Sequence, residues 1–136
     1  MAYMEWNQTL EVGVGLIDED HRALVGALNR LHEALDRGDV KEEVEKVLIF
    51  LRNYTVTHFE REESLMVEHH YPGLAGHFAA HAALVMQVSD FLSDFRTGKA
   101  VLTDDMLGFL ESWLLDHILG LDKEFGGFLK NRGVAA

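Results

Sequence analysis

Apolar residues recur at steps of three and four along most of this chain, and its only proline is Pro72. That period belongs to the α-helix, whereas a strand would alternate at two, so nearly every residue must go into helices. The stop and start signals divide the pattern into four. One helix runs over about 18–37, with Asp18 expected as N-cap after apolar Ile17 and Gly38 beyond its end. Its inward seam reads His21, Leu24, Leu28, Leu31 and Leu35. A second is expected over about 40–68, where Asp39 and Glu42 make a capping-box-like pair. Val44, Leu48, Leu51, Tyr54 or Thr55, His58 and Glu62 face inward on it. After the turn Tyr71-Pro72-Gly73, a third helix over about 74–97 turns His77, His81, Leu84, Val88, Phe91 and Phe95 inward. A fourth opens at Thr103 and continues to about residue 132. Short connections bring each helix back beside the last, so the fold class is all-α, an antiparallel up-down-up-down four-helix bundle. Residues 1–17 are expected as an extended arm laid over it, and 1–136 as one domain.

Composition narrows the function classes. Twelve basic residues against 23 acidic ones give a formal charge of −11, which disfavours nucleic acid and anionic membrane surfaces as partners. The absence of cysteine removes disulfides, thiolate metal sites, iron–sulfur clusters and thiol catalysis together. Any metal must be held by nitrogen and oxygen. Neither a basic start followed by an apolar core nor a run of 18 apolar residues is present, so a soluble cytoplasmic protein is expected.

Five of the eight histidines, His21, His58, His77, His81 and His117, fall on inward positions. One such histidine is ordinarily a hydrogen-bonded core residue; five together require another account. His58 with Glu62, and His77 with His81, stand four apart, so each pair shares a helix face. In an up-down bundle the starts of the first and third helices lie at the same end as the later halves of the second and fourth. His21, His77 and His81 therefore reach one level with His58, Glu62, His117 and Asp122. Two carboxylates buried there without a cation would be costly. Seven donors are too many for one tetrahedral zinc, and two octahedral-leaning ions bridged by carboxylates fit the count, iron best of all. The five-residue step from His117 to Asp122 exceeds one helical turn and predicts a local widening of the fourth helix.

The stretches IDEDHRAL, HFEREESLM, YPGLAGHFAAH and WLLDHILGLD make the chain resemble the bacterial single-domain hemerythrins over nearly its whole length. The resemblance implies an oxo- or hydroxo-bridged pair of iron ions. His77, His81 and His117 would complete one iron, His21 and His58 would hold the other, and Glu62 and Asp122 would bridge them. It further implies reversible dioxygen binding for storage, transport or delivery to an oxygen-consuming partner enzyme. On this reading the protein is an acidic monomer and no enzyme, with an oxygen pocket walled by Phe59, Leu114 and Ile118. Those side chains, with Trp113, serve equally as core. The alternatives are a di-iron redox enzyme or scavenger of peroxide or nitric oxide, and an oxygen or redox sensor whose arm changes exposure. Two residues depart from the family pattern: Asp20 stands where glutamine is common, and Phe125 where tyrosine is often found. The acids of 41–46 and 60–63 are expected on a solvated face, and His32, His69 and His70 have no assigned role, the last two expected exposed.

Overall fold

The computed structural model describes residues 3–38 and 40–133. Its helices are α1 (Gly15–Arg37), α2 (Lys41–Glu68), α3 (Leu74–Arg96), α4 (Asp104–His117) and α5 (Lys123–Asn131). A π-helical turn, Ile118–Asp122, joins α4 to α5 without a break, so the two make one fourth rod. The architecture is the antiparallel four-helix bundle that the apolar period and short connections predict. α1 packs against α2, α2 against α3, and α4 returns against α1. None of the described helices is long and apolar enough to cross a membrane.

Local signals explain two of the boundaries directly. Thr103 caps α4, its hydroxyl accepting from Met106 N at 3.2 Å, and two acids follow in the first turn, where the helix dipole favours them. Gly38 closes α1 at φ 68° with its N–H on the carbonyls of Ala34 and Leu35, a left-handed cap that glycine adopts without strain. The start of α1 departs from expectation. Val14, not Asp18, is the N-cap residue, and the helix begins three residues early. Asp18 is buried and accepts from Val12 N at 2.8 Å, so its carboxylate anchors the arm that leads into the helix. At α2 the N-cap is Val40, without a side-chain cap; Asp39, half of the expected capping box, lies outside the described residues.

The arm therefore ends at Val14. It carries one short 3-10 turn, Gln8–Leu10, and buries Met4, Leu10, Val12 and Val14. A reciprocal pair clamps it to α1: Met4 N donates to Asn29 Oδ1 at 2.7 Å and Asn29 Nδ2 donates to Met4 O at 2.8 Å. On α2 the inward residue is Thr55, while Tyr54 is half-buried. On α3 it is Leu92 that joins the core, and Phe91 is only partly covered. A step of three or of four both suit a 3.6-residue period, and the packed neighbours decide between them.

Candidate metal centre

At one level of the bundle the seven expected side chains meet. His21 comes from α1, His58 and Glu62 from α2, and His77 and His81 from α3. His117 ends α4, and Asp122 ends the π turn. All seven are buried. They form two groups in which the potential ligand atoms lie within 4.8 Å of one another: Glu62, His77, His81, His117 and Asp122, and His21, His58, Glu62 and Asp122. The two carboxylates belong to both groups.

Each carboxylate divides its oxygens between them. Asp122 Oδ1 lies 2.8 Å from His77 Nε2 and 3.2 Å from His117 Nε2, while Oδ2 lies 2.9 Å from His21 Nε2. Glu62 Oε1 lies 2.7 Å from His77 Nε2 and 3.2 Å from His81 Nε2, while Oε2 lies 3.6 Å from His58 Nε2. The π turn makes this arrangement reachable. Five residues along a regular helix advance about 500°, or 140° past a full turn, which would carry Asp122 off the face of His117. Widening the turn to five residues restores the alignment.

The donor chemistry fits a pair of cations. Glu62 Oε1 and Oε2, Asp122 Oδ2, His21 Nε2 and His58 Nε2 are buried without a hydrogen-bond partner, although Asp122 Oδ2 lies only 2.9 Å from His21 Nε2 and Glu62 Oε1 only 2.7 Å from His77 Nε2. At these two short separations it is direction that rules out an N–H···O bond, as expected when lone pairs converge on a common centre. Orphans of this kind are rare in a folded interior, and seven of the nine among the described residues belong to this one set of side chains. Burial pushes His77 down, but Asp122 and Glu62 beside it outweigh that and raise it to about 9. Burial pushes Asp122 up, yet the imidazoles of His117, His21 and His77 hold it well below the usual carboxylate range. A nitrogen- and oxygen-only set of five imidazoles and two shared carboxylates suits first-row ions in two linked sites.

Carboxylates outside the cluster orient two of the imidazoles. His81 Nδ1 lies 2.8 Å from Glu63 Oε2, and His58 Nδ1 lies 3.0 Å from Asp20 Oδ2. Glu63 thus departs from the solvated face expected for 60–63. Asp20 also accepts from Tyr54 and Arg61. Burial alone would raise its carboxyl, but these bonds outweigh it and hold the group down at about 2. Neither partnership was legible beforehand, because the contacts cross from α1 and α3 to α2 and follow no spacing in the chain. Aromatic faces complete the surround: Phe59 stacks on His81 at 3.7 Å and Trp113 on His117 at 4.4 Å.

A cavity of about 30 Å³ abuts His21, His58, His117 and Asp122, but not His77 or His81. It is larger than the roughly 10–15 Å³ that one water needs. Phe59 and Leu114 line it, with Leu110 and Trp113; Ile118 is fully buried in the π turn and is not part of its wall. The one hydroxyl among its lining residues, Thr55 Oγ1, donates to Leu51 O at 2.7 Å. The remaining histidines lie elsewhere: His32 stacks on Tyr3, His69 is half-buried at the end of α2, and His70 is exposed at φ 54°.

Comparison with known proteins agrees with this geometry. The family model described as hemerythrin HHE cation binding domain matches residues 12–129. A bacteriohemerythrin of Methylococcus capsulatus is 34% identical over 127 residues, covering 93% of this chain and 96% of that protein. Another, from Stenotrophomonas maltophilia, is 33% identical over 133 residues, covering 96% and 84%. A myohemerythrin of Riftia pachyptila is 29% identical over 124 residues, covering 91% and 92%. The crystal structure of a wild-type hemerythrin superposes with a TM-score of 0.88 at 33% identity, covering 93% of this chain and 97% of that one.

Proposed function

The chain belongs to the hemerythrin family, and from that premise we propose that it binds dioxygen reversibly at a pair of non-haem irons and is a carrier rather than an enzyme. His77, His81 and His117 would hold one iron, His21 and His58 the other, and Glu62 and Asp122 both. When bound, the pair supplies two electrons that pass to dioxygen and return on its release.

The observation that carries the reading is the asymmetry of the cavity. It touches both histidines of the two-histidine half and only one of the other three, so the half with fewer ligands is the half with room beside it. Phe59, Leu110, Trp113 and Leu114 wall that room with apolar surface, which disfavours the entry of water and of protons. Thr55 offers no free proton, its hydroxyl being committed to the α2 backbone. A cavity without an acid, base or nucleophile beyond the metal-binding set suits binding and release better than turnover. Storage, transport and delivery to an oxygen-consuming enzyme would all draw on this same chemistry.

The test is iron content together with the visible spectrum of the purified protein, reduced without air, exposed to oxygen, then returned to inert gas. Two irons per chain and a charge-transfer colour that comes and goes with oxygen are expected. Oxygen consumption ending in a stable diferric spectrum would replace the carrier with a scavenger or sensor, and a chain that takes up no iron would end the reading.

A further inference from the structure

Asp20 precedes His21 on α1, but its carboxylate points away from the cluster and across to α2. Four contacts from α2 close on it. His58 Nδ1 lies 3.0 Å from Oδ2, Arg61 Nε donates to Oδ2 at 3.0 Å, Arg61 Nη2 donates to Oδ1 at 2.8 Å, and Tyr54 donates to Oδ1 at 2.9 Å. Asp20 is 3% exposed. A forked guanidinium pair and a phenol hold this carboxylate in one orientation, as charge-assisted bonds do. The proton of His58 is thereby kept on Nδ1, and its Nε2 lone pair is left facing Glu62 and the cavity. The other imidazole of the same half has no such support, since His21 Nδ1 is buried without a partner.

We propose that Asp20 is a positioning residue that lends anionic character to His58 and so biases the iron bordering the cavity toward the ferric state, with Arg61 and Tyr54 setting how much of its charge His58 receives. This rests on the di-iron reading above. An imidazole whose N–H faces a carboxylate is a stronger electron donor than one facing a neutral group, and a stronger donor favours the more highly charged ion. Arg61 and Tyr54 compete for the same two oxygens, so weakening either leaves more of the charge to His58. The device therefore has a sign: removing the carboxylate and removing its competitors act in opposite directions.

That sign is what the experiment reads. Reductive titrations of the iron-loaded wild type, Asp20→Asn, Tyr54→Phe and Arg61→Gln are compared at one fixed applied potential. Asparagine keeps the shape and an acceptor oxygen while losing the charge. A hydrogen bond to a charged acceptor is roughly twice as strong as one to a neutral acceptor, so Asp20→Asn is expected to raise the ferrous-to-ferric ratio by about tenfold. Tyr54→Phe and Arg61→Gln are expected to lower it by a smaller factor, and Asp20→Glu to return it toward the wild type. The Nδ1 proton resonance of His58 should move in Asp20→Asn. An unmoved ratio in Asp20→Asn, or a shift of the same sign in all three variants as general loosening would give, overturns the proposal. Should Asp20→Asn fail to load iron, the sign of Tyr54→Phe and Arg61→Gln decides: a rise in the ratio overturns it. A wild type that binds no iron overturns the di-iron reading itself and this inference with it, whereas a two-iron wild type with an unresponsive Asp20→Asn overturns this inference alone.

Discussion

Gly126 and Gly127 are consecutive residues of α5, and helix propensity alone says that alanine at either should stabilise the protein by about 1 kcal/mol. The tertiary structure reverses the sign at one of them. A methyl at Gly127 would meet nothing within 4 Å, whereas one at Gly126 would overlap the Val12 carbonyl oxygen and stand 3.1 Å from Val12 C and Cβ. The obstacle is backbone, which cannot rotate aside. The arm must lift, and with it go part of the burial of Val12 and its charge-assisted bond to Asp18. Partial exposure of one valine is worth about 1–2 kcal/mol and the bond to a charged acceptor about 1.5–3 kcal/mol. Against the propensity gain of about 1 kcal/mol, Gly126→Ala is expected to destabilise by about 2–3 kcal/mol, while Gly127→Ala stabilises by up to about 1 kcal/mol. Urea unfolding of both variants checks this, with amide exchange at Val12 as the local readout. Equal midpoints for the two would refute the account of how the arm is held.

Chelation should lower the unfolding temperature and make it depend on free metal, because ions bound only by the folded chain stabilise it by mass action; parallel melts with and without chelator measure this. Asp122→Ala removes the carboxylate whose two oxygens face both groups, so iron per chain is expected to fall by at least one, read by metal analysis. Thr55→Val should leave oxygen affinity within about twofold, since a hydroxyl already committed to Leu51 gives little to a bound gas; optical oxygen titration tests it. Thr103→Ala deletes the cap on Met106 N and should cost about 1 kcal/mol in chemical denaturation.

Helices, their order and the seven converging side chains could be read in the chain because each depends on spacing within one helix. A step of four fixes a shared face for His58 with Glu62 and for His77 with His81, and short connections fix the antiparallel order. Even the widening of the fourth helix followed from a five-residue step, and it lies at Ile118–Asp122. Contacts between helices follow no such rule. Which oxygen of Glu62 faces which imidazole, that Asp20 reaches Tyr54, His58 and Arg61, and that Glu63 turns to His81 are set by the rotation and depth of one rod against another. The same packing made Asp18 an anchor for Val12 rather than a helix cap, chose Leu92 over Phe91, and kept Ile118 out of the cavity wall. The local period thus determined what this protein brings together, and the packing of rod on rod decided how those groups face one another, because a helix's own geometry leaves its rotation about its axis free until its neighbours are in place.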